Sequence, residues 1–251
     1  MGSTSPYDLR WVEVVSVSNP TPRMRRVVFG GPALDGFTLK PDVLAPHIGL
    51  IVPSQDGSPA PPLRVYSVRR FDPAAGTLEL NFVLHGRAGV ASSWAARARP
   101  GERAGITVSG GIPMRPAARY VVAGDLTAVP AIARLLDGLP AGASAEVFIE
   151  VPDAGEEQEL PSRASTSITW FHRRPGTPPD ASRLPDAVIA ATSSNSPART
   201  DGVAVWAGTE HRAAQRIRSH VRQTLRLPAE SCSVVAYWKA AVAQGGFQHY
   251  D

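Results

Sequence analysis

The stretch RYVVAGDLTAVPAIARLLDGLP (Arg119–Pro140) decides how the second half of this 251-residue chain folds. It begins with an apolar run of strand length that ends at Gly124-Asp125. After Thr127 the apolar side chains recur at helical spacing, at Val129, Ile132, Leu135, Leu136 and Leu139. A strand, a turn and a helix in this order predict one βα unit of a parallel sheet.

The chain that follows repeats this alternation. Apolar runs of strand length occupy residues 145–151, 167–173, 203–208 and 232–238, and helical patterns occupy 184–192 and 210–226. Strands that alternate with helices predict a doubly wound, mostly parallel sheet.

The first half has a different pattern, in which short β-type runs are broken by turn residues. These runs lie at 11–18, 24–31, 47–53, 64–71, 77–85 and 104–110, with one Ala-rich helical pattern at 91–101. Short strands at such spacing predict an antiparallel barrel or sandwich. We therefore expect a β-barrel domain over residues 1–115 and an α/β domain over residues 116–251.

Composition limits the class of protein. With 43% hydrophobic and 19% charged residues, the chain can bury a core. No apolar run approaches the roughly 20 residues of a membrane-spanning helix, and the N-terminus lacks a secretory pattern. Cys232 is the single cysteine, which excludes an intramolecular disulfide and a thiolate metal cluster. We expect a cytoplasmic protein with no membrane partner and no bound metal.

The charge pattern argues against a nucleic-acid partner. The net charge is +4, and every basic residue except Lys40 and Lys239 is an arginine. No run of five basic residues occurs, and no base-stacking aromatic motif accompanies the arginines. A mild positive excess also suits anionic small molecules.

The stretch RVYSVR (Arg64–Arg69) places unusual polar groups on a predicted strand. A barrel followed by an α/β domain is typical of flavin reductases. If a flavin dinucleotide lies along the barrel, Arg64 suits its pyrophosphate, Tyr66 its ring face and Ser67 the region of flavin N5, with Val65 among the contacts. The alternative is an edge strand with ordinary exposed polar residues.

A second candidate contact lies in HGRAGVASSWAARARPG (His85–Gly101). Residues Gly89, Val90, Ala91 and Ser92 run from a turn into a helix start, where unpaired backbone N–H groups favour an anion, and Ser92 or Ser93 adds a hydroxyl. The alternative is an ordinary capped helix with Trp94 packed in the core. His85 alone is more typical of a structural histidine than of a ligand.

The third candidate is the turn within Ala123–Ile132, which contains Asp125, Thr127, Ala128 and Pro130. Ligands of doubly wound sheets bind at the carboxyl ends of the strands, so this turn and WAGTEHR (Trp206–Arg212) mark one cleft. No GxGxxG fingerprint is present, and a plain helix cap is the alternative.

Six blocks together resemble one family. In chain order they are NPTPRMRRVVFGG, RVYSVR, HGRAGVASSWAARARPGE, VVAGDLTAVPAIARLLDGLP, VWAGTEHRAAQRIRSHV and VVAYWK. They are similar to the siderophore-interacting proteins, also called ferric-siderophore reductases, and the resemblance spans about residues 10–240.

This resemblance implies a ferredoxin-reductase-like fold that holds FAD and reduces the iron of ferric siderophores in the cytoplasm. NADH, NADPH or reduced ferredoxin would donate the electrons, and we expect a monomer. The resemblance assigns Arg64, Tyr66 and Ser67 to FAD and the His85–Trp94 loop to the pyrophosphate. It places the Asp125–Pro130 turn on the nicotinamide side and Lys239 where it could steer an anionic siderophore. The mechanism is electron transfer, so no residue is expected to act as an acid or base.

The chain departs from the family pattern at several places. Val90 stands where the family commonly has proline, and Leu126 and Thr209 replace carboxylates. The sequence after Lys239 also differs. Two other functions therefore stay open: a flavin-dependent oxidoreductase of secondary metabolism that acts on an organic substrate, and a ferric-chelate-binding protein without catalysis.

Overall fold

The computed structural model describes residues 9–53, 63–84, 89–174, 176–178, 181–193, 202–240 and 242. The chain divides into two compact units. The first is Met1–Pro41 with Ala45–Gly111, and the second is Asp42–Leu44 with Ile112–Asp251. We expected the boundary after residue 115. The backbone explains the earlier division, because the Met114 N–H donates to the carbonyl of Asp42 (3.2 Å) and the Arg115 N–H to that of Glu230 (2.7 Å).

The first unit is a closed antiparallel barrel, as predicted. Its strands are β1 (Arg10–Thr21), β2 (Met24–Gly30), β3 (His47–Ile51), β4 (Arg64–Asp72), β5 (Thr77–Val83) and β6 (Arg103–Ile106). They close in the order β1-β2-β5-β4-β3-β6. A short helix, α1 (Val90–Ala95), follows β5.

The barrel interior follows the two-residue period of a strand. On β5, Leu78, Leu80 and Phe82 are fully buried and Glu79 is half-buried. Asn81 is also buried, with its amide donating to Met24 Sδ (3.4 Å). Val27 and Phe29 of the neighbouring strand β2 join the same core cluster. The alternating apolar residues of the sequence therefore become the inner face of the barrel.

The second unit is a five-stranded parallel sheet with helices on both faces, which confirms the doubly wound prediction. Its elements are β7 (Arg119–Asp125), α2 (Val129–Gly138), β8 (Ser144–Val151), β9 (Ser165–His172), α3 (Leu184–Thr192), β10 (Val203–Glu210), α4 (His211–Ser219) and β11 (Cys232–Trp238). The strand order is β11-β10-β7-β8-β9. From β7 the chain builds outward to β9, and it then returns to the other side of β7. The order reverses between β7 and β10, which makes their carboxyl ends the switch point of the sheet.

Three predicted elements are shorter than expected. The helix expected at 91–101 is α1 alone, and the strand expected at 104–110 ends at Ile106. Beyond Ile106 the backbone contacts β3 only in places, through the Thr107 N–H to the carbonyl of Gly49 (2.9 Å) and an isolated bridge between His47 and Gly110. The helix expected at 210–226 is α-helical only through Ser219 and continues as a π-helical turn, His220–Thr224.

No helix in the described part of the chain is long and apolar enough to cross a membrane.

Gly124 allows the start of α2 to pack directly on the sheet. A Cβ at position 124 would lie 2.6 Å from the Cβ of Ala128 and 3.0 Å from the carbonyl oxygen of Gly208. One of these atoms is backbone of β10 and the other belongs to the turn before α2, so neither can move away cheaply. The close approach of turn, helix and strands at the switch point therefore requires glycine.

We predict that Gly124→Ala lowers the free energy of unfolding by about 1–3 kcal/mol, the usual cost of overpacking. Urea unfolding followed by tryptophan fluorescence measures the change. Gly142→Ala is the matched control, because a Cβ there meets no atom within 4 Å, and its effect should stay within about 0.5 kcal/mol. Equal stability of the two variants would contradict the packing argument.

Candidate functional site

The polar stretch on β4 is half-buried at four consecutive positions. Arg64, Val65, Tyr66 and Ser67 all have intermediate exposure, and full burial begins at Val68. An ordinary barrel strand alternates between buried and exposed side chains, whereas here neither face of the strand is fully covered. The predicted flavin contacts therefore lie on a part of β4 where a ligand could add cover.

Tyr66 lies against the barrel core. Its ring centroid is 4.5 Å from that of Phe82, with the planes inclined at 43°. Burial raises the pKa of Tyr66 from 10.0 to about 12, while the positive charge of Arg64 acts in the opposite direction. The phenol is therefore neutral at physiological pH, with the Arg64 charge nearby.

Ser67 has a neighbour that the sequence did not reveal. Its strand partner on β3 is His47, and His47 in turn bridges to Gly110. A Cβ at position 110 would come within 2.7 Å of His47 Nε2, so the imidazole lies directly over this glycine. His47 opened an apolar run in the sequence and carried no motif; only strand pairing brings it beside the predicted N5 contact.

The turn before α1 has the expected backbone, but one hydroxyl is already engaged. Gly89 is extended, and its carbonyl accepts from the Ser93 N–H (2.8 Å). The hydroxyl of Ser92 donates to the carbonyl of Val83 (2.9 Å), so it serves the barrel interior. In the described structure, buried Ser93 Oγ has no hydrogen-bond partner. Of the two serines that could bind phosphate, Ser93 is therefore the better placed.

Trp94 belongs to the barrel core. It is 3% exposed, with its ring stacked near Phe29 (6.2 Å between centroids) and edge-on to Phe82 (6.0 Å). This matches the packing alternative for Trp94, and its contact with a flavin stays a prediction. His85, the other end of the predicted loop, lies outside the described residues.

These residues fit a flavin dinucleotide. A buried hydroxyl without a partner, Ser93 Oγ, lies at the start of α1, where the first amides have no intrahelical acceptor. An aromatic ring and a guanidinium stand together on β4 at Tyr66 and Arg64. A flavin dinucleotide needs a contact for its pyrophosphate, an aromatic contact for its ring system and a hydroxyl, and the barrel offers all three.

At the switch point of the second unit, Asp125 accepts four hydrogen bonds. Its Oδ1 accepts from the Thr127 N–H (2.9 Å) and hydroxyl (2.5 Å), and its Oδ2 accepts from the Thr209 hydroxyl (3.0 Å) and the Trp238 indole N–H (2.8 Å). Burial raises the pKa of Asp125, and the four donors act against that shift. The carboxylate joins the ends of β7, β10 and β11.

The predicted nicotinamide-side residues therefore have unequal access. Asp125 directs its carboxylate into this network, and the side chains of Ala128 and Pro130 are buried in the packing of α2. Only Thr127 is half-buried. Their contact with a nicotinamide stays a prediction.

Glu210 organises the turn that carries Lys239. It is 2% exposed, and its Oε2 accepts from the Arg212 N–H (2.6 Å) at the start of α4. Its Oε1 accepts from the Ala240 N–H (3.4 Å), directly after Lys239. Lys239 is exposed, and its carbonyl accepts from the Val242 N–H (3.2 Å). The lysine thus stands on a turn tied to the switch point.

A closed six-stranded barrel followed by a five-stranded parallel sheet defines a ferredoxin-reductase-like fold, shared by a solved ferredoxin-NADP+ reductase and a solved phthalate dioxygenase reductase. A siderophore-interacting FAD-binding domain matches residues 51–111, and a siderophore-interacting protein model matches residues 117–241. A siderophore utilization protein from T. fusca superposes with a TM-score of 0.81 at 34% identity, over 99% of this chain and 98% of that one. The chain belongs to the siderophore-interacting protein family.

Two characterised relatives carry names of reductases. The ferric acinetobactin reductase of Acinetobacter baumannii is 28% identical over 254 residues, 97% of this chain and 85% of the relative. The ferric vibriobactin reductase of Vibrio cholerae is 28% identical over 178 residues, 70% of this chain. That match spans 64% of the vibriobactin reductase's own length.

We predict that the Tyr66 phenol of the folded protein ionises near pH 12, whereas in the unfolded chain it ionises near its usual value of 10.0. The difference in phenolate absorbance between the protein and Tyr66→Phe isolates this group. Because the folded state holds the proton longer, the stability that the native protein owes to this group falls as pH rises from about 10 to 12. Tyr66→Phe should therefore gain stability relative to the native protein across that window. A Tyr66 step near pH 10 in the folded state would show that the phenol is solvated.

Proposed function

We propose that the protein is an FAD-dependent reductase of ferric siderophores in the cytoplasm. It takes electrons from NADPH, NADH or reduced ferredoxin and passes them through the flavin to chelated iron(III), releasing iron(II). The observation that carries the proposal is the half-buried run Arg64–Ser67 on β4, within the part of the chain matched by the family's FAD-binding domain. We expect the protein to act as a monomer.

The barrel residues would bind and orient FAD. Arg64 provides a planar guanidinium for the pyrophosphate, and the neutral ring of Tyr66 provides an aromatic surface for the isoalloxazine. Ser67 places a hydroxyl at the N5 edge, and the backbone at Val65 continues the contact. When bound, FAD supplies the step that protein side chains lack, because it accepts a hydride and gives up electrons singly.

The turn before α1 would bind the pyrophosphate from the other side. The first amides of α1, at Val90, Ala91 and Ser92, have no intrahelical acceptors. Gly89 has no side chain, so the backbone there would come close to the pyrophosphate. His85 and Trp94 complete this loop in the proposal. Because the Ser92 hydroxyl is held by Val83, we assign the hydroxyl contact to Ser93.

The sheet edge would serve the electron donor and the chelate. The turn Asp125–Pro130, held by the Asp125 network, borders the nicotinamide, with Thr127 as its most accessible side chain. Lys239 presents a positive charge to an anionic ferric siderophore. Reduction lowers the charge on iron, so hard oxygen ligands hold it less firmly and release it.

The proposal predicts that the FAD-loaded protein, kept anaerobic with NADPH or NADH, converts a ferric siderophore into iron(II) that a colorimetric chelator detects.

Arg64→Ala should weaken FAD retention roughly ten- to hundredfold, the loss of one charge-assisted contact, with little effect on folding. Flavin absorbance after desalting measures it. Arg70→Ala is the matched control, since Arg70 is an exposed arginine on the same strand.

Full flavin content in Arg64→Ala would reject the phosphate contact. Reduction of an organic substrate but not of ferric chelates would favour a flavin enzyme of secondary metabolism. Tight chelate binding without reduction, even with dithionite-reduced flavin, would favour a binding protein.

We predict that Lys239→Ala weakens the binding of an anionic ferric chelate by about two- to fivefold, the worth of one exposed charge. Flavin content should not change. Titration of the chelate against intrinsic fluorescence gives the affinity, and a neutral ferric chelate should bind equally to both proteins. Lys40→Ala, at the chain's other lysine, is the control. An unaltered affinity for the anionic chelate would remove Lys239 from the site.

A further inference from the structure

A second group of residues lies at the carboxyl edge of the sheet, where β8 and β9 end. Glu150 of β8 is 5% exposed, and its Oε2 pairs with the guanidinium of Arg173 (2.6 Å) just after β9. Its Oε1 accepts from the backbone N–H of Arg183 (3.0 Å) at the start of α3. One buried carboxylate thus brings the segment after β9 and the first residue of α3 together.

Arg183 has a fixed guanidinium with unused donors. Its guanidinium carbon lies 4.2 Å from the centroid of the Phe171 ring, and Phe171 is itself stacked on Phe148 (6.3 Å, 4° between planes). This cation–π contact holds the guanidinium over the Phe171 ring. In the described structure the Arg183 side chain donates no hydrogen bond and makes no ion pair.

Arg174 adds a second exposed charge at the same edge of the sheet. It follows Arg173 directly, is exposed, and forms no ion pair within the described residues. Of the nearby carboxylates, Glu157 contacts His172 (2.6 Å), Asp186 contacts Arg216 (2.7 Å), and Asp153 accepts from the Gly155 N–H (3.0 Å). Two arginines, Arg174 and Arg183, are therefore available at this edge.

The position of these arginines suits the far end of a dinucleotide. β9 lies two strands from β7, roughly 10 Å across the sheet from the switch point. A nicotinamide at the ends of β7 and β10 would leave the adenosine half of the dinucleotide to extend over the ends of β8 and β9. In sheets of this type an acidic residue there binds the ribose 2′-hydroxyl of NAD, and an arginine accommodates the 2′-phosphate of NADP.

We propose that Arg183 and Arg174 bind the 2′-phosphate of NADPH and make NADPH the preferred nicotinamide donor. The inference rests on the proposed function, because it specifies the donor of that reaction. Arg183 offers a preorganised fork to the phosphate oxygens, and Arg174 adds charge. Glu150 and Glu157, two of the described carboxylates at this edge, are paired with Arg173 and His172 and are not free for the hydroxyl of NADH.

Arg183→Ala is expected to raise the KM for NADPH roughly ten- to hundredfold and the KM for NADH less than twofold. Arg174→Ala should act in the same direction with a smaller effect. Arg163→Ala is the matched control, because Arg163 is an exposed arginine close to the amino-terminal end of the same strand, β9. It should change neither constant.

Calorimetry on the FAD-loaded protein gives a readout that does not depend on turnover. The native protein should bind 2′,5′-ADP at least tenfold more tightly than 5′-AMP, and Arg183→Ala should remove that difference. Equal affinity for the two nucleotides, equal KM for NADH and NADPH, or an equal loss in Arg163→Ala would each overturn the assignment. Electron transfer from dithionite-reduced flavin to a ferric chelate tests the proposed function separately, because it needs no nicotinamide.

Discussion

The buried carboxylate of Asp125 is the interaction on which the architecture of the second unit's sheet edge depends. A carboxyl group without hydrogen-bond partners is costly to bury, and the four donors to Asp125 offset that cost. Those donors come from the turn after β7, from Thr209 on β10 and from Trp238 on β11. The carboxyl ends of three strands are thereby held to one group, and the edge where ligands of such sheets bind becomes rigid.

Glu210 extends this arrangement by one residue along β10. As the N-cap of α4 it satisfies an amide that the helix cannot, and it also reaches the amide after Lys239. Thr209, one position earlier on β10, donates its hydroxyl to Asp125 and so links β10 to the end of β7.

Most of the fold could be predicted from the sequence because its elements have clear periods. The alternating leucines of β5 and the helically spaced apolar residues of α2 are all buried, as their spacing predicts. The predicted element bounds are wrong where the regular spacing of apolar residues ends. The backbone after Ile106 no longer pairs as part of strand β6, and α4 is followed by a π-helical turn at His220–Thr224. These depend on backbone contacts with distant segments, which no local pattern contains.

The residue types of the candidate site can be read from the sequence, whereas the directions of their side chains cannot. The polar run on β4 was recognisable because it interrupts an apolar pattern. By contrast, the inward hydroxyl of Ser92 and the pairing of His47 with Ser67 follow from which side chains face each other in the closed barrel. The arginine at position 183 had no motif, and it stands out only once the Phe171 and Phe148 rings are seen stacked beneath it.

The shared anchoring of the Lys239 turn limits how this protein can be recombined with its relatives. The last residue of β11 is tied to β7 through the Trp238 indole, and the segment after it is tied to β10 through Glu210. A chimera that takes its last strand and tail from a relative must therefore also carry compatible residues at 125 and 210. Replacing the C-terminal strand and tail therefore also requires matching residues on β7 and β10, at positions 125 and 210.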